Sequence, residues 1–449
     1  MKKGDVPSGV VIIVMTSIDD DDFSAIVDNL EFKDSLLLVC DSSSVEGYDL
    51  SGMAHIIDRF KDAAKLVKKI EAWQQKSGMK FAGIIGLDEE FHYSFSEHIA
   101  KAFSLDFYSR RTLDLCSNKY LQREALSKAG IKVPRFRLIE PGKAIDNIDV
   151  GDVGFPNVLK VITGYASSYI FLNKDAAELR NNLSSLARTA EADPDDEIFL
   201  PHAVEEKGRK VVLDPKRQFL VEELVCGDEY SCDFLVDSKG VHVLRVVRKF
   251  SCEGNFGFFD ALLLFNPDLH GGDFSVSSLQ ALCKKVSGAL GINSGVCMVD
   301  FKFCKCEFVI IETTVRPGIS TFIDLIAHIY NTTSLNKLVR QKLGLPVPHT
   351  LPEDAGLVVY LTALRHGTMK RFDTSRLEKA ADRLGVFKVV KYYQEGVVVS
   401  TASQRPGGSV LVGYVLVRAA EGQSPGFAAS SSVWQTINKI RSLVSVEVV

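Results

Sequence analysis

At 449 residues the chain is longer than one hydrophobic core usually supports, so roughly two to four domains are expected. Its 46% apolar and 24% charged residues are those of an ordinary soluble globular protein. A net charge of −4 gives no global pull toward nucleic acid or an anionic membrane, so any anion site has to be local.

The segment Gly9–Thr16 is apolar but short and runs into acidic residues, which reads as a first buried strand. Further strands are expected at Ser35–Val39, His55–Ile57 and Phe81–Ile85, with helices at Arg59–Trp73 and Phe95–Ala102. Continuous β-branched runs mark strands covered on both faces, hence a parallel sheet. Residues 1–115 are therefore expected to form a Rossmann-like α/β layer. The turn after the first strand, Ser17–Asp22, carries four aspartates and no GxGxxG. It would repel a pyrophosphate, which argues against an NAD-dependent oxidoreductase. The aspartates are expected to be solvated loop and helix N-terminus.

A second block opens at Asn118. Lys119–Leu126 is helical in pattern, and Ala129-Gly-Ile-Lys-Val-Pro134 ends it with a Gly stop and an extended segment before Pro. Phe155–Ile162 reads as a strand with Lys160 on its buried side, residues 163–168 as a small-residue loop, and Tyr169–Leu172 as another strand. A polar helix and loop at Glu178–Asp195, a turn at Asp214–Arg217 and an apolar strand at Gln218–Val225 follow. Then come Cys232–Val236 and Val241–Val247, expected to pair antiparallel, and an amphipathic helix at Leu279–Leu290. Beyond Gly344–Pro348 a small α+β domain is expected, with strands Gly356–Ala363, Phe387–Tyr392 and Ser409–Val417 and helices Arg376–Leu384 and Ser432–Leu443.

The nine cysteines show no CxxC spacing. Cys304 and Cys306 are the nearest pair, but no further Cys or His stands close enough in sequence to complete a zinc site. Reduced, mostly buried thiols are expected. No apolar run reaches membrane length and the opening residues lack a signal-peptide pattern, so a cytoplasmic protein is expected.

The strongest local signal lies near residue 300. Asp300 and Glu312 each sit on an apolar segment that reads as a buried strand. An unpaired buried carboxylate costs roughly 3–5 kcal/mol, so two together imply a cation between them. Oxygen ligands on adjacent strands suit Mg²⁺, which usually takes one or two carboxylates plus substrate phosphates. Arg316 follows with a planar fork suited to phosphate or carboxylate. The competing reading pairs the carboxylates with basic residues, for which Arg245, Arg248 and Lys249 are available.

Residues 118–318 resemble the ATP-grasp superfamily in the order and spacing of five elements. These are Lys119 with Ala129–Pro134, Phe155-Pro-Asn-Val-Leu-Lys160, Gly164–Ser168, the hinge Glu222–Ser231, and the carboxylates Asp300 and Glu312. The resemblance implies a pre-ATP-grasp domain over 1–115 and a two-lobed ATP-grasp domain over 116–344, with an ATP lid about 155–225. A C-terminal domain over 345–449 would close on the site. It further implies ATP bound by Lys119, Lys160, Gly164, Ser167, Ser168, Glu222, Glu223, Leu224, Val225 and Glu229. Adenine would meet backbone groups of Glu223 and Val225 and the side chain of Glu222, and ribose would meet Glu229. Mg²⁺, or Mn²⁺, would be held by Asp300, Glu312 and Thr314. Thr314 departs from the family, which usually has Asn there, and a hydroxyl is the poorer ligand. Arg316 would face the γ-phosphate or acyl-phosphate and, with Lys160, carry the catalytic charge. Arg316, then Arg248 or Lys249, would bind the substrate carboxylate, and the loop Ser251–Phe259 would form a lid, a pocket or plain core.

The implied chemistry is carboxylate activation by ATP, with attack by an amine on the acyl-phosphate. The layout is most similar to the amino-acid ligases that make dipeptides, with small-molecule carboxylate and amine substrates and a homodimer as the family's common state. Another ATP-grasp ligase or carboxylase-type enzyme, and a regulatory protein that binds ATP without turnover, remain as alternatives. Neither nucleic acid nor membrane is an expected partner.

Overall fold

The computed structural model describes residues 9–43 (without 17 and 19), 45, 48–87, 93–140, 149–164, 169–192, 197–206, 209–251, 259–363, 367–399, 410–419 and 430–449. Strand β1 (Val10–Met15) feeds two cores by turns, Val11, Ile13 and Met15 on one side and Val10, Ile12 and Val14 on the other. A strand apolar at every position has to be covered on both faces. Helix α1 (Asp20–Asp28) covers the first face, and α2 (Ala63–Ser77) and α3 (Tyr93–Ala102) cover the second. With β2 (Leu36–Asp41), β3 (Ala54–Asp58) and β4 (Phe81–Gly86), β1 forms a parallel sheet of order β3-β2-β1-β4, the Rossmann-like layer that the sequence implies. Helix α2 starts later than expected because Asp62 caps it, accepting from Lys65 N at 3.1 Å. The α1 side of the sheet also packs on Leu235, Leu244, Val296 and Leu338 of the next domain.

Helices α4 (Arg110–Ser117) and α5 (Lys119–Lys128) meet at Asn118, whose side chain caps α5 by accepting from Leu121 N at 3.0 Å. A small antiparallel sheet follows, built from β5 (Phe136–Ile139), β6 (Asn157–Val161), β7 (Ile170–Asn173) and, after α6 (Ala176–Ala192) and the hairpin β8 (His202–Glu206) and β9 (Arg209–Leu213), β10 (Phe219–Glu223). Its order is β5-β10-β6-β7, and Leu179, Leu183 and Leu186 of α6 pack on it.

The larger lobe comprises β11 (Asp228–Asp237), β12 (Gly240–Phe250), β13 (Ala261–Leu264), α7 (Pro267–His270), α8 (Val276–Leu290), β14 (Gly295–Cys304), β15 (Glu307–Thr314), α9 (Thr321–Tyr330) and α10 (Ser334–Lys342). The remainder supplies β16 (Gly356–Ala363), β17 (Gly367–Asp373), α11 (Ser375–Glu378), α12 (Ala381–Leu384), β18 (Val386–Lys391), β19 (Val398–Val399), β20 (Val410–Arg418), α13 (Ser430–Arg441) and β21 (Ser445–Val448). Three of these strands extend the large sheet, whose order among the described residues is β15-β14-β11-β12-β13-β16-β20-β18. The C-terminal region is thus continuous with the sheet that holds the carboxylates.

Several features differ from the sequence reading, among them the hairpin β8–β9 and the helices α9 and α10, which it did not mark. The expected helix Arg376–Leu384 is split into α11 and α12, and α12 buries none of its residues, so no apolar face sustains a longer helix. Strand β17 escaped notice because only Met369 and Phe372 of its seven residues are buried. Among the described residues no helix is long and apolar enough to cross a membrane.

Strand β15 is an edge of the large sheet, and its outer polar groups need partners. The chain from α5 onward supplies them. Gln122 Nε2 donates to Thr313 O at 2.7 Å, and Gln122 Oε1 accepts from Thr313 N at 2.8 Å. Arg123 donates to Ile311 O, and Ile310 N donates to Lys132 O at 2.9 Å. Gln122→Ala is therefore expected to leave a buried N–H and C=O of β15 unsatisfied. The expected loss is about 2–4 kcal/mol of unfolding free energy, read from denaturant curves. An unchanged midpoint would show that water replaces the amide without penalty.

Candidate active site

The β14–β15 register puts Asp300 directly opposite Glu312, with a bulge between Asp300 and Phe301 that sets Ile311 out of step. On its other side Asp300 faces Ser231 of β11. Each carboxylate rests on a lysine. Lys249 Nζ lies 2.6 Å from Asp300 and 3.0 Å from Glu229, which is its cross-strand neighbour. Lys119 Nζ lies 2.6 Å from Glu312 and donates to Gly164 O at 2.6 Å. Burial pushes the Asp300 carboxyl above its ordinary value in spite of Lys249. Burial acts the same way on Glu312, but Lys119, helped by Lys160 and Arg123, holds it below the usual range.

A third cluster lies on β10 and β6. Glu222 is 2% exposed and takes Arg123 Nε on one oxygen at 2.6 Å and Lys160 Nζ on the other at 2.5 Å. Burial would raise the Glu222 carboxyl, but Arg123 and Lys160 hold it down. Burial also draws the Lys160 ammonium below its ordinary value, against the pull of Glu222. Both Glu222 oxygens therefore carry a cation, and an adenine amino group, which the resemblance assigns to this side chain, would have to share them. Its neighbour Glu223 clamps Arg135, at 2.6 Å from Nε and 3.0 Å from the backbone N, and its own N–H is spent on Arg135 O. Leu224 and Val225 are half-buried in the irregular hinge between β10 and β11.

Thr314 and Arg316 are buried just beyond Glu312. Thr314 Oγ1 donates to Arg316 O at 3.3 Å, and Arg316 Nη1 donates to Pro317 O at 3.5 Å. A fully buried ion pair, Arg245 with Asp233 at 2.8 Å, fixes the chain here, since the same Asp233 oxygen accepts from Gly318 N at 3.1 Å. A Cβ on Gly318 would stand 2.3 Å from Arg245 Nη2, so only glycine fits. Gly164 takes φ +104°, which favours glycine.

The structure gathers Lys119, Lys160, Glu222, Glu229, Lys249, Asp300 and Glu312 around the junction of the two lobes. It places Lys249 on Asp300 and Glu229, which fits the competing reading of the buried carboxylates as paired with basic residues. Arg248, the other secondary substrate candidate, is held by Asp228 at 2.5 Å and by Ser430 at 2.9 Å. Ser167 and Ser168, and residues 252–258 of the Ser251–Phe259 loop, lie outside the described residues. Arg123, Gln122 and Asp233 escaped the sequence reading. Arg123 stands four residues after Lys119, hence on the same helix face, a spacing that could have revealed it. The donor set fits a hard divalent cation. Asp300 and Glu312 offer oxygens across one strand pair, and Asp300 Oδ1 is buried with no hydrogen-bond donor among the described residues.

Residues 153–319 match the family model described as an ATP-grasp domain. The structure is similar to that of the L-amino acid ligase from Bacillus licheniformis, at a TM-score of 0.72 and 15% identity, covering 99% of this chain and 100% of that one. It is also similar to N5-carboxyaminoimidazole ribonucleotide synthetase from Thermotoga maritima, at a TM-score of 0.61 and 17% identity, covering 98% and 100%. Phosphoribosylglycinamide synthetase from Anaerococcus prevotii follows at a TM-score of 0.60 and 13% identity, covering 98% and 100%. At these identities the likeness is one of fold. An uncharacterized protein, y4rH, of Sinorhizobium fredii (strain NBRC 101917 / NGR234) is 22% identical over 317 residues, 70% of this chain and 60% of that relative's length.

Glu222→Gln would leave Arg123 and Lys160 buried without a counter-charge, and the expected cost is about 3–5 kcal/mol at neutral pH. The folded-state Glu222 is depressed below its ordinary 4.5, so its contribution is complete above about that pH and is lost as pH falls through the folded value. Denaturant unfolding of both proteins should therefore show a gap that narrows in acid. Equal stability at neutral pH would deny the pair any net worth.

Proposed function

We propose that this chain, an ATP-grasp protein, is an ATP-dependent carboxylate–amine ligase acting on an amino acid or amino-acid derivative. The observation that carries the reading is the Asp300–Glu312 pair on facing strand positions, each matched by a lysine from a different element. Lys119 and Lys160 would neutralise phosphate charge, and Asp300 and Glu312 would hold Mg²⁺ or Mn²⁺, whose role is to screen the phosphates during transfer. Thr314 stands on the same face as Glu312, and its hydroxyl would be the weakest of the ligands.

In the reaction proposed, a carboxylate oxygen of the substrate attacks the γ-phosphorus and the bond to ADP breaks. The amine nitrogen then attacks the acyl carbon, phosphate leaves, and the nitrogen loses a proton. This chemistry needs charge neutralisation and exclusion of water more than a dedicated acid or base. Arg316 is the first candidate for the substrate carboxylate, by the place that the family resemblance gives it and by its planar fork.

The amino-acid reading is supported by the fold, which is similar over nearly the whole chain to that of an L-amino acid ligase.

Glu312→Ala is expected to cut phosphate release from Mg-ATP by at least about a hundredfold while the fold persists. Near-normal rates at saturating substrate would remove the metal assignment. Lys160→Ala should weaken ATP binding in calorimetry, and an unaltered affinity would mean that Lys160 serves Glu222 alone. The decisive assay is phosphate release across the twenty amino acids, singly and in pairs, with mass analysis. A product of two amino acids less water, formed only with a matched pair, would support the proposal. No such product with any pair, in a protein that ATP stabilises thermally, would turn the proposal toward other carboxylates or a non-catalytic nucleotide site.

A further inference from the structure

A second cluster of ligand-bearing side chains lies at the far end of the large sheet. Strand β11 leaves the hinge at Asp228 and reaches its last residue at Asp237, roughly 30 Å away at about 3.3 Å per residue. There the chain turns, and Asp237 Oδ1 accepts from Lys239 N at 2.7 Å and Gly240 N at 3.1 Å, which fixes the carboxylate on the hairpin. His242, on the returning strand β12, pairs with Leu235 and so shares the face of Asp237. Its Nε2 stands 3.3 Å from Asp237 Oδ1.

The third member comes from elsewhere. His349 belongs to the irregular segment that joins α10 to β16, and it stacks on His242 with ring centroids 3.8 Å apart and planes inclined by 21°. Its Nε2 is 3.9 Å from Asp237 Oδ2, and its Nδ1 is buried with no hydrogen-bond partner among the described residues. One ligand atom from each of the three residues falls within 4.8 Å of the others.

We infer that Asp237, His242 and His349 form a site for a borderline divalent transition-metal cation, zinc above all, that fastens the segment entering the C-terminal strands to the β11–β12 hairpin. Two imidazole nitrogens and one carboxylate oxygen suit Zn²⁺ rather than Mg²⁺ or Ca²⁺, which take oxygen ligands. At zinc bond lengths near 2.0–2.1 Å, tetrahedral ligand atoms stand about 3.3–3.4 Å apart. The Asp237–His242 distance already has this value, and His349, whose Nε2 is 3.9 Å from the other Asp237 oxygen, has to turn out of its stack on His242 for its lone pair to meet the same cation. The three side chains are 16–28% exposed, which leaves a fourth position for water. Lys239 and Lys337 stand near the same ring, and their charge opposes a cation.

The inference is independent of the ligase reading, and its test does not use activity. Tag-free full-length protein is stripped with a chelator, titrated with Co²⁺ and separately with Zn²⁺, and examined by absorption, metal analysis and thermal unfolding. The expected result is a tetrahedral Co²⁺ spectrum without a thiolate charge-transfer band, and a zinc-dependent rise of about 2–4 °C in the midpoint. Both should be lost in His349→Ala and His349→Gln but kept in Cys226→Ser/Cys304→Ser and in Glu312→Ala. Zinc uptake equal to wild type in both His349 variants, a thiolate band, or the absence of any metal-induced shift would each overturn it. Should His349→Ala fail to fold, the Gln variant and the wild-type cobalt spectrum decide.

Discussion

The candidate active site depends on one constraint, that among the described residues no carboxylate at the junction of the lobes is buried without a cation in contact. Asp300 and Glu229 share Lys249, Glu312 has Lys119, and Glu222 has both Arg123 and Lys160. The compensating charges come from separate pieces of chain, α5, β6 and β12, so the site closes only when those pieces are placed. Asn118 positions α5 by capping it, and Gln122 and Arg123 seat the same helix on the edge strand β15. Charge pairing and fold are therefore one problem here. A shift of α5 along the strand would uncover Glu312 and Glu222 together.

Much of this was legible in the sequence because two signals are local. Runs such as Val10–Met15 can only be strands covered on both faces, and the parallel layer follows. Asp300 and Glu312, each among apolar neighbours, announce a site because their burial is costly. What escaped notice was long-range. Nothing near Glu222 in sequence shows that Arg123 meets it, since the two stand 99 positions apart. The pairing of Lys249 with Asp300 depends on which strand lies beside β11. Pattern alone could not show that β16 joins β13, so the C-terminal region read as a separate unit rather than as three more strands of the same sheet.

That continuity bears on how the site could open and close. The large sheet runs from the carboxylate-bearing strands β15 and β14 through β12 to β18 without a break in its hydrogen bonding. One side of the small sheet β5-β10-β6-β7 has its own core, while Ile162 and Leu220 join the core of the large lobe. Relative motion of the two sheets has to break those contacts. It is resisted by Arg123, which reaches from α5 to Glu222 on the small sheet and to Ile311 on the large one.

On the proposed reading, nucleotide binding is an exchange of partners rather than a gain of new charge contacts. Without ligand, each lysine rests on a carboxylate. Mg-ATP would bring a cation for Asp300 and Glu312 and phosphates for Lys119 and Lys160. Every group would then trade one counter-charge for another of the same sign, and none would stand bare in a low dielectric during the trade. Glu222 is the exception, because Arg123 stays with it when Lys160 leaves. This accounts for two cations on one glutamate: the second can be lent to a phosphate while the first keeps the carboxylate compensated.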